Sequence, residues 1–463
     1  MRTHPSDGDT RLSLWQRVRA YAVPPSMIET ATARRHVGDW AGACAAAGID
    51  TDLRLRPLAR THGRDLAARV RADLRHLAPD LLRWHMPRIA PDGLLRPGLT
   101  IALARYDVPD PGGPHPVHLV VRTPPAWADG GRRIELTLWD GSRLRDGARA
   151  HPHPRPGPRF RLDLHRHLWD ARRTDELRHR SGADRTGGDA PSEHAELLPP
   201  GHHCAVDRWA DEARIVLRDA GRTGGSVAVR AGGGHRLVLT VTDDAGGPGS
   251  PGVRAGPPDP AAHGPALPVL PDAATHVLPD LELLRTGAIE AGRLHPLVAA
   301  ALAPGRTATG PPPPPDRAGQ PHLVECRGTR HRIGLVDGVL VPLDHDPEEI
   351  RREELLAAFT GPPLPCLQAI DRAHRRPDCL TGVRERLLHG DTAGALAVVE
   401  NLLGARARLR GGPLRDALEA AADRRIAYGL YRTGLRGPAP DRLRPAVPRP
   451  RRLRDRTRHA TLT

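Results

Sequence analysis

The chain has 463 residues, 39% hydrophobic but only 3% aromatic, so two or three domains with Leu-, Val- and Ala-rich cores are expected. All 69 residues in the Lys+Arg total are arginines, and the formal net charge is +15. The absence of lysine excludes Walker A loops, protein kinases and lysine Schiff-base chemistry, because arginine does not give up its proton to form an imine.

The positive charge is unevenly distributed along the chain. From Arg436 to Arg458 there are nine arginines and two aspartates. We therefore predict a basic disordered tail over residues 436–463, which is usually a solvated end and sometimes binds nucleic acid or an acidic partner. The arginine content elsewhere follows from a composition rich in Ala, Gly, Pro and Arg, so it does not by itself indicate nucleic-acid binding.

The cysteines and the apolar runs bear on the cellular compartment. An odd number of cysteines at irregular spacing is typical of free thiols in a reducing compartment. The N-terminus has no apolar stretch typical of a signal peptide, and no apolar run approaches 18 residues. We therefore expect a cytoplasmic protein without a membrane span. The five cysteines are Cys44, Cys204, Cys326, Cys366 and Cys379.

Residues 1–95 are predicted to be a helical region. Ser26 and Glu29 follow two prolines and resemble a capping box, and Gly38-Asp39 is typical of the end of one helix and the start of the next. Apolar residues then recur at helical spacing and predict one buried stripe. That stripe consists of Leu66, Val70, Leu74, Leu77 and Leu81.

Residues 96–243 are predicted to be an antiparallel β region with one helix. Alternation over 99–105, 117–122, 134–138 and 160–164 predicts four strands separated by Pro and Gly turns. A helix is expected over 205–220. A hairpin formed by 226–230 and 236–241 should follow it.

The rest of the chain is predicted as two further regions before the tail. Residues 244–320 are read as Pro/Gly-rich linkers around a short helical segment, with a polyproline spacer at 311–315. Residues 321–435 are predicted to be a hairpin, turning at Asp337-Gly338, followed by helices. The fold class is therefore α+β, with N-terminal and C-terminal helical regions flanking a central antiparallel β region and an additional hairpin in the C-terminal half.

One internal repeat is visible in the sequence. The hexapeptide at 38–43, GDWAGA, matches GDTAGA at 390–395 in five of six positions. Both copies are predicted to lie between two helices, which suggests a duplicated helical hairpin, although the abundance of Ala and Gly makes a chance match plausible.

The densest group of candidate ligands lies around residue 204. Two imidazoles, a thiol and two carboxylates could together bind Zn²⁺, although adjacent histidines in an extended segment point in opposite directions. The sequence lacks a motif that would close this site, so the predicted cofactor is none, with Zn²⁺ as the candidate ion. The candidate ligands are His202, His203, Cys204, Asp207 and Asp211.

Other local patterns have simpler structural interpretations. Cys204 beside His203 does not by itself make a nucleophile–base pair. Asp344-His345-Asp346 is typical of a helix start, with Pro347 at the first helical position. Cys366, His374 and Cys379 are interpreted as buried side chains rather than zinc ligands. The glycines of 247–252 fit GxGxxG, but no helix is expected after them to bind a phosphate.

These observations favour a non-catalytic interaction or accessory protein. We expect an Arg-bearing helical surface or the basic tail to bind an acidic protein partner. The first alternative is a metal-assisted hydrolase with its site near residues 202–211. The second alternative is nucleic-acid binding through the tail, which lacks the aromatic residues that stack on bases.

Overall fold

The computed structural model shows an α+β protein, as the sequence predicts. It describes residues 7–108, 115–128, 133–141, 151, 155–184, 198, 203–232, 235–241, 253–256, 267–305, 322–336, 339–360, 364–375, 378–403 and 412–435. The GxGxxG segment, the polyproline spacer, the Asp337-Gly338 turn and the basic tail lie outside these residues.

Helices make up most of both ends of the chain. They are α1 (Asp7–Tyr21), α2 (Pro25–His36), α3 (Trp40–Ala46), α4 (Leu55–His62), α5 (Arg64–His76), α6 (Pro79–His85), α7 (Glu176–Ser181), α8 (Val206–Asp219), α9 (Asp272–Thr275), α10 (Pro279–Arg285), α11 (Pro296–Leu302), α12 (Pro347–Thr360), α13 (Pro365–Arg375), α14 (Asp378–His389), α15 (Thr392–Leu403) and α16 (Pro413–Arg432). Within the described part of the chain, none of these helices combines the length and apolar character needed to cross a bilayer.

Among the described residues, the strands form three sheets and one short ribbon. They are β1 (Ile49–Thr51), β2 (Arg88–Ile89), β3 (Leu94–Leu95), β4 (Thr100–Val108), β5 (His115–Arg122), β6 (Ile134–Trp139), β7 (Gly225–Gly232), β8 (His235–Val241), β9 (Val253–Gly256), β10 (His322–Cys326), β11 (Thr329–Val336) and β12 (Val339–Pro342). The first sheet has the order β1-β6-β5-β4, the second β7-β8-β9 and the third β10-β11-β12, while β2 pairs with β3.

The first sheet contains the predicted antiparallel meander β4-β5-β6 and one strand that the sequence did not predict. β1 comes from the N-terminal helical region and pairs with β6 in parallel, with Ile49 opposite Ile134. The fourth predicted strand, at 160–164, is wrong: only Arg161 makes an isolated bridge, to Ala102. The register of β4 shifts between Ala102 and Ala104, and the segment at 157–163 makes backbone hydrogen bonds with Thr100 and Ala102 at the outer edge of β4 without forming a regular ladder.

The predicted apolar stripe forms the centre of the largest core. All five of its leucine and valine side chains are buried, on α5, on α6 and in the turn between them. They pack with the first sheet and with apolar residues of α10 and α11. This N-terminal core therefore includes helices from the segment that was predicted to be linkers around a short helical segment.

Two of the predicted helix starts can be compared with the structure. α2 begins at Pro25 without a side-chain cap, so the predicted capping box at Ser26 is wrong. Proline at the first helical position needs no hydrogen-bonded amide, which explains the earlier start. Asp39 does cap α3, because its Oδ1 accepts a 2.8 Å hydrogen bond from the amide of Gly42.

The second and third sheets each pack against a helix. The second sheet packs against α8, with Trp209 and Val229 in the core between them. Its third strand, β9, lies within the segment predicted to be linkers and extends the predicted hairpin. The third sheet extends the predicted C-terminal hairpin by one strand, because β10 pairs with β11 ahead of the predicted turn.

Candidate functional site

The ligand cluster predicted around residue 204 lies where a loop enters α8. His202 is outside the described residues. His203 Nδ1 is 3.0 Å from Glu282 Oε1 on α10. On α8, Asp211 pairs with Arg214 at 3.1 Å.

The described members of this cluster do not converge on one point. Among the His, Cys, Asp and Glu side chains that the structure describes, no group of three drawn from these residues brings its ligand atoms within 4.8 Å of one another. A metal site here would need a different side-chain arrangement, so it stays a prediction without geometric support.

Cys204 contacts a histidine, but not its neighbour in sequence. Its Sγ lies 3.9 Å from Nδ1 of His276, with which it forms an isolated β-bridge. Burial raises the pKa of the Cys204 thiol to about 11, although Arg11 opposes the shift. The side chain is therefore a protonated thiol at neutral pH, a poor nucleophile.

Asp344-His345-Asp346 marks a helix start, as predicted. Asp346 Oδ1 accepts a 2.9 Å hydrogen bond from the amide of Glu348, and α12 begins at Pro347. Asp344 forms an ion pair with Arg332 at 2.6 Å. Cys366 is buried, as expected, whereas the side chains of His374 and Cys379 lie outside the described residues.

A cleft lined by arginines lies between the N-terminal region and α16. Its inner part is a cavity of about 220 Å³, bounded by α2, α3, α6, the α14–α15 turn and α16. Its outer part is a more open pocket of about 470 Å³ that shares Arg133 and Arg425 with the inner part. We call the two parts the arginine cleft. Its charged residues are Arg83, Arg133, Arg424, Arg425, Arg432, Asp50, Asp52 and Asp391.

The floor of the cleft is held by a buried arginine. Arg83 is 1% exposed, and its guanidinium donates hydrogen bonds to the carbonyl oxygens of Ala22 and His389. Burial lowers its pKa to about 10, with Arg133 adding to the shift and Asp391 opposing it. Arg83 is therefore still a cation at neutral pH, and it joins the N-terminal helices to α14.

Two ion pairs lie in the outer part of the cleft. Arg133 forms a two-pronged pair with Asp50 on β1, with its shortest contact at 2.7 Å. Arg432 at the end of α16 pairs with Asp52 at 2.6 Å. The Arg133–Asp50 pair lies within the first sheet, where bidentate pairing holds the guanidinium in one orientation, whereas the Arg432–Asp52 pair joins α16 to the edge of that sheet.

Tyr428 lies near both of these arginines and has an unused donor. Its ring faces Arg133 at 5.6 Å and Arg432 at 6.0 Å, and the residue is 5% exposed. Burial raises the pKa of Tyr428, with Asp50 and Glu135 adding to the shift, so the phenol keeps its proton. Within the described residues, neither Tyr428 Oη nor Arg432 Nε has a hydrogen-bond partner.

Two further arginines of α16 line the cleft and have no acidic partner among the described residues. Arg424 and Arg425 line it, and neither has an ion pair or hydrogen bond with the described part of the chain. An oxyanion could accept a hydrogen bond from the Tyr428 hydroxyl and pair with Arg424 and Arg425. The cleft therefore has the chemistry of a carboxylate-binding site.

The spacing of three residues in the sequence is consistent with this site, although it did not predict the site. Arg424, Tyr428 and Arg432 are spaced four residues apart and so share one face of a helix. Their role depends on β1, which supplies Asp50 and was not predicted.

Comparisons with known proteins do not assign the chain to a family. No family model matches the sequence, and neither the curated proteins nor the solved structures contain a significant match.

Proposed function

We propose that this is a non-catalytic interaction protein that binds an acidic segment of a partner protein in the arginine cleft. The observation that carries the proposal is the buried Tyr428 hydroxyl, which has no acceptor among the described residues and belongs to a ring 5.6 and 6.0 Å from the guanidinium carbons of Arg133 and Arg432. A carboxylate from a partner would accept from this hydroxyl and lie near Arg425.

The charge of the cleft selects the class of partner. Five arginines line it against three aspartates, and two of those arginines have no counter-charge among the described residues. Asp50 and Asp52 already neutralise Arg133 and Arg432, so binding would rest on Arg424, Arg425 and Tyr428. Such a site discriminates by charge and attracts an acidic chain at a distance, most strongly at low ionic strength.

The proposed compartment is the cytoplasm. The four described cysteines outside α14 are free thiols, which fits a reducing environment. They are Cys44, Cys204, Cys326 and Cys366.

A labelled acidic peptide tests the proposal directly. Fluorescence anisotropy of a fluorescein-labelled peptide of alternating Asp and Glu, titrated with the full chain at low salt, should show saturable binding. A peptide with Gln at the same positions should not bind.

Arg424→Glu combined with Arg425→Glu should weaken the affinity for the acidic peptide at least about tenfold, because charge reversal replaces attraction by repulsion. Tyr428→Phe should weaken it about threefold to tenfold through loss of one hydrogen bond.

A matched charge reversal on another helix is the control. Arg71 and Arg75 are exposed on α5 and have no ion pair among the described residues. Arg71→Glu combined with Arg75→Glu changes the net charge by the same amount but should leave the affinity nearly unchanged. An equal loss in this control, or no binding by the unaltered chain, would refute the proposal.

The same assay distinguishes the nucleic-acid alternative. A labelled single-stranded oligonucleotide of matched charge is titrated with the full chain and with a chain ending at Gly437. Tight oligonucleotide binding that disappears with the tail, together with no peptide binding, would favour that alternative instead.

A further inference from the structure

Three residues far apart in the sequence meet at one point beside the third sheet. Cys326 is the last residue of β10, His345 lies between β12 and α12, and Cys366 is in the first turn of α13. One sulfur from each cysteine and one ring nitrogen of the histidine all lie within 4.8 Å of one another. The chain reaches this point because a turn at Arg327-Gly328, with φ of 52° and 79°, folds β11 back beside Cys326.

The three side chains are withdrawn from solvent. Cys326 and Cys366 are 0% exposed, and the His345 side chain is 4% exposed. Nε2 of His345 is buried and has no hydrogen-bond partner among the described residues. An imidazole nitrogen buried without a partner is costly, unless a group absent from the protein itself satisfies it.

The other nitrogen of His345 faces a carboxylate. Its Nδ1 is 3.5 Å from Oε2 of Glu349, in the first turn of α12. Histidines that bind metals through one nitrogen commonly interact through the other with a carboxylate, which orients the ring. Glu349 is in turn paired with Arg327 at 2.7 Å, so the turn beside Cys326 and the His345 ring are held by the same carboxylate.

The local core is too small to explain this arrangement by apolar packing alone. Among the described residues, the fully buried members of the cluster are Cys326, Leu364 and Cys366. Small domains with few buried apolar side chains commonly use a structural metal to hold their elements together.

We propose that Cys326, His345 and Cys366 bind one Zn²⁺ ion through Sγ, Nε2 and Sγ, respectively. Two thiolates and an imidazole form a donor set that suits zinc better than magnesium or calcium, which prefer oxygen ligands. A tetrahedral ion takes one more ligand, which solvent would supply, because no further His, Cys, Asp or Glu side chain among the described residues joins this group. The site is separate from the arginine cleft and independent of the proposed function.

Zinc binding would change the protonation of the Cys366 thiol. Burial and the hydrogen bond with Cys326 raise the pKa of Cys366 to about 12, so without an ion this thiol is protonated. Binding would require the Cys366 thiol to release its proton to solvent, so zinc uptake would weaken as the pH falls. The N-terminus of α13 favours the negative charge on Cys366.

Metal analysis of the full chain, purified without a histidine tag, tests the assignment. We expect about one zinc per chain, the stoichiometry of a mononuclear structural site. Cys326→Ser, Cys366→Ser and His345→Ala should each lower the zinc content at least about tenfold under chelator competition. Cys204→Ser should retain zinc, and it also tests the cluster predicted around residue 204.

Cobalt substitution gives a readout that does not depend on the folding of a variant. Co²⁺ added to the zinc-free unaltered chain should produce thiolate-to-cobalt charge-transfer bands and tetrahedral visible bands. Circular dichroism of the variants should retain most of the helical signal, because the N-terminal core contains none of the three ligands.

Several results would overturn the proposal. They are no zinc and no cobalt bands in the unaltered chain, zinc that persists in all three ligand variants, and zinc lost only in Cys204→Ser. A disulfide between Cys326 and Cys366, detected by mass spectrometry after alkylation of the metal-free protein as isolated, would equally refute it.

Discussion

A buried ion pair connects two residues that lie 261 positions apart. Arg19 on α1 donates from Nε and Nη2 to both oxygens of Asp280 on α10, each at 2.8 Å. Trp84 Nε1 donates to the same carboxylate at 3.0 Å, and the Arg19 and Asp280 side chains are 2% and 0% exposed. Burial alone would raise the pKa of Asp280, but Arg19 and His85 hold it well below its ordinary value.

Removing the charge of Asp280 should be strongly destabilising. Asp280→Asn keeps the shape of the side chain but leaves Arg19 buried without a counter-charge, which typically costs about 3–5 kcal/mol. We expect a loss of that size in the free energy of unfolding, measured by urea denaturation at pH 7. Asp107→Asn removes a carboxylate from the exposed pair with Arg105 and should change the stability little.

The pH dependence identifies the charge as the cause. A carboxyl whose pKa is depressed on folding stabilises the protein above its ordinary pKa, and this contribution is lost as the pH falls through the folded value. The stability gap between the unaltered chain and Asp280→Asn should therefore be constant from pH 7 to near 3.8, the ordinary value, and narrow below it. A gap that does not narrow below pH 3.8 would indicate lost packing instead.

At the scale of elements, the two copies of the hexapeptide repeat form the same turn. Gly38 and Gly390 have φ of 77° and 85°, where glycine is favoured. The following Asp39 and Asp391 each accept from the amide three residues later, at 2.8 and 3.0 Å. Each also pairs with an arginine five residues earlier, Arg34 and Arg386 respectively.

The second glycine of each copy leaves room for the capping carboxylate. A Cβ on Gly42 would lie 2.1 Å from Asp39 Oδ2, and a Cβ on Gly394 would lie 2.2 Å from Asp391 Oδ2. Because an alanine there would displace the carboxylate, the glycine and the aspartate are coupled. The shared geometry supports a duplicated helical hairpin as the explanation of the repeat.

A double-mutant cycle tests this coupling. Gly42→Ala in the unaltered chain should change the free energy of unfolding little. Loss of the cap lowers it by about 1 kcal/mol, and the higher helix propensity of alanine raises it by about 1 kcal/mol. In the Asp39→Ala background the same substitution should stabilise by about 1 kcal/mol, because no cap remains to be lost. Thermal denaturation of the four proteins measures the coupling. The parallel cycle at Gly394 and Asp391 should give the same sign, and equal effects in both backgrounds would contradict the coupling.

Sequence patterns predicted those elements whose pattern lies within one short segment of the chain. The stripe from Leu66 to Leu81 is buried as predicted because its helical spacing needs no information about distant partners. The alternation at 160–164 gave a false strand, since a strand also needs a free, regular edge to pair with. The ligands of the proposed zinc site, Cys326, His345 and Cys366, were not grouped because their spacing follows no known motif and only the fold of the third sheet brings them together.

At the scale of the whole molecule, the N-terminal core is assembled from two separate segments. Helices α1 to α6 and the first sheet pack against α10 and α11, where Leu283 and Val298 are 0% exposed. His295 Nε2 on the second segment also lies 2.9 Å from Asp80 Oδ2 on the first, in a buried contact. Helices α10 and α11 therefore belong structurally to the N-terminal region, although they follow the second sheet in the chain, whereas Leu270 and Ala274 pack in the core of the second sheet.

This arrangement predicts which fragments fold. A fragment of residues 1–305 keeps every residue of the N-terminal core, whereas one of residues 1–243 loses Leu283, Val298 and the partner of Arg19. The longer fragment should show a cooperative thermal transition in circular dichroism and resist limited proteolysis. The shorter fragment should lack a cooperative transition, because it exposes the apolar faces that α10 and α11 cover and leaves Arg19 buried without a counter-charge.

Adding a separate peptide of residues 267–305 to the shorter fragment should restore part of the cooperative thermal transition. Cooperative unfolding of the 1–243 fragment alone would instead mean that 267–305 is an appended segment and that the core is complete without it.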